Sequence, residues 1–142
     1  MRTLYNAYLV LIGLAIGINV VQAEVIVIVS SKNATKNLSA EQASDIFIGK
    51  AAYFPNGPRA VPIDQNEGSP IRDDFYQKSC GKTSSQMKAY WAKMLFTGRG
   101  QPPVESGDSE AIKRLVAENP NLIGYIDRKD LDSSVKPLLV LH

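Results

Sequence analysis

Cysteine and histidine are nearly absent from this sequence of 142 residues. Cys80 is the only cysteine, so no disulfide bond forms within one chain, and we expect it to be a small buried residue at the end of a helix. The only histidine, His142, is the last residue. The sequence therefore excludes a Cys–His nucleophile pair, a Ser–His–Asp set and a zinc site built from His and Cys. We predict neither an enzyme nor a bound metal or cofactor.

An excess of charge of either sign is also lacking. Lysine and arginine together number 16, aspartate and glutamate 14, and the formal net charge is +2. Such a balance gives no reason to expect nucleic acid or an anionic membrane as a partner, so any electrostatic function has to be local. The acidic residues between positions 64 and 74 lack the alternating ligand pattern of a calcium-binding loop.

Apolar runs long enough to span a bilayer are lacking as well. The run at residues 7–21 has about 15 residues, whereas a helix needs about 20 to cross the hydrocarbon core. It follows Met1 and Arg2 and ends in Val-Gln-Ala at residues 21–23, which is the pattern of a secretory signal peptide. We predict cleavage after Ala23 and a single periplasmic domain, residues 24–142, with no stable membrane span. The alternative is an uncleaved anchor.

Local patterns predict most of the secondary structure. The β-branched run EVIVIVS at residues 24–30 predicts a central strand that is buried on both faces. Three helix starts have capping patterns, namely Ser39 with Gln42, Ser69 before Pro70, and Thr83 with Gln86. The predicted helices cover residues 40–48, 70–78, 83–96 and 109–118, and the remaining strands cover residues 60–64, 123–126 and 135–141.

The order of these elements predicts an α/β domain of three layers, in which helices cover both faces of a largely parallel sheet. Residues 97–107 contain three Gly and two Pro without periodicity, so they predict a long loop. Tyr90, Trp91 and Phe96 fall on one predicted helix, and we expect them to pack in the core.

Four segments resemble a known family. They are LSAEQASDIFIGK at residues 38–50, residues 61–75, residues 96–100, and NPNLIGYID at residues 119–127. In this order they resemble the second lobe of the phosphate-binding protein of ABC-type phosphate uptake, a type II periplasmic binding protein. The resemblance implies phosphate or a similar oxyanion as ligand, and an ABC permease or a sensor protein as partner. Full-length members close two lobes on the ligand, whereas this chain is long enough for one.

The candidate anion site lies at the predicted helix start formed by Gly68 and Ser69. A helix start offers free N–H groups and the positive end of the helix dipole, and Arg72 adds a guanidinium one turn later. The matching loop of the family reads approximately R-x-D-G-S-G-T, so Gly68 and Ser69 agree with it, whereas Gln65 stands where the family has its ligand-clamping Arg. The alternative is ordinary capping by Ser69 with a solvated or paired Arg72.

A second candidate element is Gly98 with Arg99. These residues match the Gly-rich loop of the family, whose backbone approaches the ligand in full-length members. The alternative is an exposed turn with a solvated arginine.

Two functions remain open. The first is a solute-binding module for phosphate or a related oxyanion, linked to uptake or sensing and favoured by Arg72 and the Gly68-Ser69 pair. The second is an interaction module that kept the fold of the lobe without its ligand, favoured by Gln65 and Pro70. In that case the face left bare by the missing lobe binds a protein partner or a second copy of the chain.

Overall fold

Strands and helices alternate along the chain in the computed structural model, which describes residues 15–17 and 23–142. The strands are β1 (Val25–Ser30), β2 (Val61–Asp64), β3 (Val104–Glu105), β4 (Leu122–Asp127) and β5 (Val135–Leu141). The helices are α1 (Ala40–Phe47), α2 (Pro70–Cys80), α3 (Ser84–Phe96) and α4 (Ser109–Glu118), with a 3-10 turn at Arg128–Asp130. The predicted signal peptide lies almost wholly outside the described residues. Within them, no helix combines the length and the apolar character that a bilayer crossing requires.

The predicted helix starts are confirmed in detail. The Gln42 N–H donates to Ser39 Oγ at 3.1 Å while the Ser39 N–H donates to Gln42 Oε1 at 3.0 Å. Thr83 and Gln86 form the same reciprocal pair at the start of α3. These hydrogen bonds join residues three positions apart, which is why the sequence predicts them without knowledge of the tertiary structure.

The sheet has the strand order β3-β2-β4-β1-β5. β2 pairs in parallel with both β3 and β4, whereas β1 is antiparallel to both β4 and β5. Four strands therefore run in one direction and β1 alone runs against them. The prediction of a largely parallel sheet is correct for the strand directions, but half of the strand pairings are antiparallel because β1 lies between β4 and β5.

Both faces of β1 are buried, as its sequence predicts. Val25, Val27 and Val29 belong to the cluster formed with α1, α2 and α3, whereas Ile26 and Ile28 belong to the cluster formed with α4. Successive side chains of a strand point to opposite faces, so an unbroken apolar run serves two cores at once. The protein is thus an α/β sandwich of three layers.

Two expectations about the region after α2 are wrong. Phe96 is 94% exposed, although Trp91 on the same helix is buried in the core. The predicted loop at residues 97–107 contains β3, which pairs Ile63 with Val104 and Asp64 with Glu105. A strand of two residues is too short to produce an alternating pattern.

Candidate functional site

The carboxyl ends of β2 and β4 meet at one edge of the sheet. β2 leads into α2 on one face, and β3 leads into α4 on the other face. In open α/β sheets this divergence leaves a crevice outside the strand ends, where ligands bind. Ser69, the N-cap of α2, and Asp108, the N-cap of α4, both lie there. The fold thus places the predicted helix-start residues at the edge where a site is expected.

Gln65 connects the two helix starts. Its side-chain amide donates to Ser109 Oγ at 3.0 Å and to the Tyr125 carbonyl at 3.1 Å, and its Oε1 accepts from Ser69 Oγ at 2.7 Å. Only 2% of Gln65 is exposed. The hydrogen bonds of this neutral amide therefore join β2, β4, α2 and α4.

Asp64 forms the buried centre of the site. It accepts hydrogen bonds from the hydroxyls of Tyr76, at 2.6 Å, and Tyr125, and its Oδ2 lies 3.7 Å from Arg72 Nε. Burial raises the pKa of Asp64, and the tyrosine hydroxyls and the Arg72 guanidinium offset part of that rise. Burial and the neighbouring Asp64 carboxylate raise the pKa of both tyrosines, so they remain hydrogen-bond donors. Phe75 stacks on Tyr125 with ring centroids 4.1 Å apart, which fixes the ring position.

Arg72 reaches back from the first turn of α2. Its side-chain Nη1 donates to the Gln65 carbonyl at 3.0 Å, and its backbone N–H donates to Ser69 Oγ at 3.2 Å. Burial lowers the pKa of Arg72, but attraction to Asp64 and the hydrogen bond to Glu105 outweigh it, so the pKa lies above its ordinary value. The guanidinium is therefore a fixed positive charge, with 19% of the side chain exposed.

Glu105 occupies the outer side of this guanidinium. Its Oε1 accepts from Arg72 Nη1 and also from the Glu67 N–H, the latter at 3.0 Å. Both partners line a groove of about 320 Å³ beside α3, here called the Arg72 groove. Its lining residues are Glu67, Arg72, Ser84, Met87, Lys88, Trp91, Ala92, Leu95, Pro102, Pro103 and Glu105.

A second hollow lies on the other side of the start of α2. This acidic cavity of about 300 Å³ is lined by Gln65, Ser69, Ile71, Asp108, Ser109, Glu110, Asp127, Lys129 and Asp130. Four of these residues are carboxylic acids and one is a lysine. Burial raises the pKa of Asp130, and Glu110 and Asp127 raise it further while Lys129 lowers it. An anion entering this cavity would meet like charge.

Gly98 and Arg99 terminate α3. The Gly98 N–H donates to the Leu95 carbonyl at 3.2 Å and the Arg99 N–H to the Met94 carbonyl at 2.9 Å, with Gly98 at φ +66°. This is the Schellman motif, in which glycine supplies the left-handed conformation that ends a helix. Arg99 is exposed and lines neither the Arg72 groove nor the acidic cavity. Hydrogen bonds thus join Gln65, Ser69 and Arg72, and Gly68 precedes Ser69 in the chain, whereas Gly98 and Arg99 form the end of α3.

Sequence reasoning missed Glu105 and Asp64 as parts of the site. Glu105 lies 33 positions from Arg72, and Asp64 lies 61 positions from Tyr125. The only local signal was the run of acidic residues near position 64, whose partners depend on tertiary packing. The described residues, 15–17 and 23–142, contain no group of three His, Cys, Asp or Glu placed to hold a metal ion.

The fold matches solved phosphate-binding proteins. One is a protein from Clostridium perfringens described as a phosphate ABC transporter substrate-binding protein, solved with bound phosphate. It is 28% identical, with a TM-score of 0.64 over 82% of this chain and 44% of its own. Another is an ABC-type phosphate transport receptor from Vibrio cholerae, 20% identical, with a TM-score of 0.66 over 82% and 45%. A third is PstS from Borrelia burgdorferi, 14% identical, with a TM-score of 0.62 over 82% and 46%.

The chain spans less than half the length of these proteins, so it corresponds to a single lobe of the phosphate ABC transporter substrate-binding fold. The family resemblance and the α/β lobe predicted from the sequence are thereby confirmed. No family model matches the chain, and no curated protein matches its sequence.

Proposed function

We propose that this protein binds phosphate or a related oxyanion in the Arg72 groove, as an exported, non-catalytic lobe linked to ABC-type phosphate uptake or to sensing. The fold supports this proposal, as does the 28% identity to a structure solved with bound phosphate. In the proposed site Arg72 and the Glu67 N–H hold the anion. Ser69 and Gln65 fix the position of Arg72, and Gly68 shapes the loop between β2 and α2.

The observation that carries the proposal is the position of the Glu105 carboxylate. Arg72 Nη1 and the Glu67 N–H point at the same carboxylate oxygen, Glu105 Oε1. A carboxylate is itself an oxyanion, so the two donors already converge on the kind of oxygen that phosphate presents. Hydrogen bonds to ionised oxygens of this kind are about twice as strong as those between neutral groups.

The groove is open to water, and this limits the affinity. A single lobe leaves one side of the anion solvated, where screening weakens both the Coulomb attraction and the hydrogen bonds. We therefore expect a dissociation constant of about 1 mM, which corresponds to about 4 kcal/mol of binding free energy. Gly98 and Arg99 are not part of the proposed site.

Calorimetric titration with phosphate and with sulfate tests the proposal. The purified protein is compared with Arg72→Ala and with Arg99→Ala, which removes an exposed arginine outside the groove. We expect saturable heat for the unchanged protein and for Arg99→Ala, and none for Arg72→Ala. Circular dichroism establishes that Arg72→Ala is folded, and Arg72→Lys, which keeps a charge but loses the planar fork, should bind more weakly. Absence of saturable heat in the unchanged protein at ligand concentrations about tenfold above the expected dissociation constant would contradict the proposal.

An interaction module is the second candidate, because apolar side chains are exposed beside the groove. Phe96 is 94% exposed, Val104 72% and Leu95 52%. Leu95 lines the Arg72 groove, Phe96 follows it, and Val104 lies on the edge strand β3. Clustered exposed apolar residues are typical of binding surfaces for proteins.

Sedimentation equilibrium tests this candidate for the case in which the protein partner is a second copy of the chain. We expect concentration-dependent dimers that Phe96→Ser abolishes. Leu115→Ser is the control, because Leu115 is 41% exposed on α4, across the sheet. A monomer at every concentration would contradict self-association through this surface.

A further inference from the structure

We propose that Glu105 is an internal counter-ligand, whose carboxylate occupies the oxyanion position in the Arg72 groove and has to swing out before an external anion binds. This inference rests on the proposed function of the groove and adds a device that sets its affinity. It is drawn from the seated carboxylate, since a helix start alone would not define a site.

The carboxylate is held as a ligand would be. One oxygen, Oε1, receives hydrogen bonds from the guanidinium of Arg72 and from the Glu67 N–H. These two donors come from different segments, the first turn of α2 and the loop before it. Yet 48% of the Glu105 side chain remains exposed, so water surrounds the rest of the carboxylate.

The backbone of Glu105 does not need to move when its side chain leaves. Glu105 pairs with Asp64 in the parallel register of β3 and β2, and the following Ser106 N–H donates to the Asp64 carbonyl at 2.8 Å. The Asn66 N–H donates to the Gly107 carbonyl at 3.1 Å. The pairing of Val104 with Ile63 anchors the backbone before Glu105 and these hydrogen bonds anchor it afterwards, so release of the carboxylate requires only side-chain rotation.

Arg72 keeps its position when Glu105 leaves. Its Nη1 also donates to the Gln65 carbonyl at 3.0 Å, and its Nε lies 3.7 Å from the buried Asp64 carboxylate. Three groups hold the guanidinium, and only Glu105 among them is an exposed side chain. The groove can therefore exchange its inner carboxylate for an outer anion without losing its cationic centre.

The charges around the groove make this exchange unfavourable while Glu105 is present. Arg72 faces the carboxylates of Asp64 and Glu105, and Lys88 lies 3.4 Å from Glu67. An arriving phosphate meets cations that are already paired. Ion pairs of this exposure contribute up to about fivefold to an equilibrium, so removal of the Glu105 charge should tighten phosphate binding by about fivefold.

Glu105→Gln and Glu110→Gln form a matched pair for the test. Both substitutions remove one negative charge, and the two side chains have similar exposure, 48% and 56%. Glu110 contacts Lys113 and lines the acidic cavity instead of the Arg72 groove. Phosphate titration should give about fivefold tighter binding for Glu105→Gln and an unchanged dissociation constant for Glu110→Gln.

Glu105→Ala adds a readout that a general charge effect would not produce. Acetate should bind where the carboxylate was removed, shift the NMR signal of the Glu67 N–H, and compete with phosphate. In the unchanged protein acetate should leave this signal in place, because the Glu105 carboxylate already accepts from the Glu67 N–H.

The outcomes separate the two proposals. Binding to the unchanged protein that depends on Arg72 but is equal in Glu105→Gln overturns the counter-ligand and leaves the proposed function standing. Equal tightening in Glu110→Gln also overturns it, as does absence of the acetate effect. Binding seen only after Glu105 is replaced supports the counter-ligand and contradicts phosphate binding by the unchanged protein. Silence of every variant overturns both.

Discussion

The Arg72 groove and the acidic cavity flank the same helix start and differ in charge. The groove has an arginine and a lysine beside two glutamates, whereas the cavity has four carboxylic acids and one lysine. Two N-caps, Ser69 and Asp108, face the acidic cavity, which in principle favours anions. However, the Asp108 carboxylate accepts the Ala111 N–H at 3.0 Å, and Asp127 accepts the Lys129 N–H at 3.2 Å. The carboxylates of the protein itself therefore occupy the N–H groups that an external anion would need. Of these two hollows, the Arg72 groove is the one in which a guanidinium holds an exposed carboxylate, that of Glu105.

This difference shows that helix starts do not define an anion site by themselves. A carboxylate cap satisfies the N–H groups and adds a negative charge, whereas the hydroxyl cap Ser69 satisfies them without charge. The neutral cap therefore adds no further negative charge to the carboxylates of Asp64 and Glu105, which already face Arg72. Both caps line the acidic cavity, so the groove differs from it through the guanidinium of Arg72 and its partner Glu105 and not through a cap.

Replacement of Asp64 should have the largest effect on stability, since its buried carboxylate lies 3.7 Å from Arg72 Nε. Asp64→Asn removes a buried carboxylate that accepts from two tyrosine hydroxyls and pairs with Arg72. We expect the free energy of unfolding to fall by about 3 kcal/mol, because the amide keeps only one of the two acceptor oxygens and the buried guanidinium of Arg72 loses a charged partner. Urea denaturation measures the loss, with the exposed Asp73→Asn as control. A loss below about 1 kcal/mol would show that Asp64 is not the support of the groove.

The two caps should differ in their contributions to stability. Ser69→Ala removes the cap of α2 and also the donor to Gln65 Oε1, a buried acceptor. Asp108→Ala removes only the cap of α4 and relieves repulsion in the acidic cavity. We expect losses of about 2 kcal/mol for Ser69→Ala and about 1 kcal/mol for Asp108→Ala, measured by urea denaturation. Equal losses would contradict the additional role of Ser69.

The smallest effect concerns acid stability on the side of α4. Hydrogen bonds from Ser134, and then from Lys113, lower the pKa of Asp132 from 3.8 to about 2. Because the folded-state pKa is the lower one, ionised Asp132 stabilises the fold above pH 3.8, and this contribution disappears as the pH falls towards about 2. Asp132→Asn should therefore flatten the fall of the melting temperature over that interval. Superimposable profiles of melting temperature against pH would contradict this assignment.

Much of the fold was predictable because its signals are local. The capping boxes of Ser39 and Thr83 join residues three positions apart, and the run of β1 reports burial on both faces through its composition alone. The end of α2 was predicted at Lys78, two residues before its observed end at Cys80. Cys80 lies at a helix end as expected and is half-buried, with its thiol donating to the Tyr76 carbonyl at 3.3 Å.

Less of the site was predictable, because its residues act through distant partners. The sequence places Ser69 and Arg72 at one helix start, and the structure agrees. The resemblance adds Gly98 and Arg99, which form the end of α3 in the structure, and their role in ligand binding stays a prediction. Phe96 illustrates the same limit, since helical spacing does not reveal which part of a helix extends beyond its neighbours.

By itself the sequence determined the α/β class, the helix starts, the buried strand β1 and the hydroxyl cap next to Arg72. Each depends on propensities and on hydrogen bonds within one turn of the chain. Only the tertiary structure decided that β1 runs against its neighbours, that Gln65 joins two helix starts, and that Glu105 contacts Arg72. These pairings join residues brought close by the sheet, so they follow from strand order and register, which local patterns do not encode.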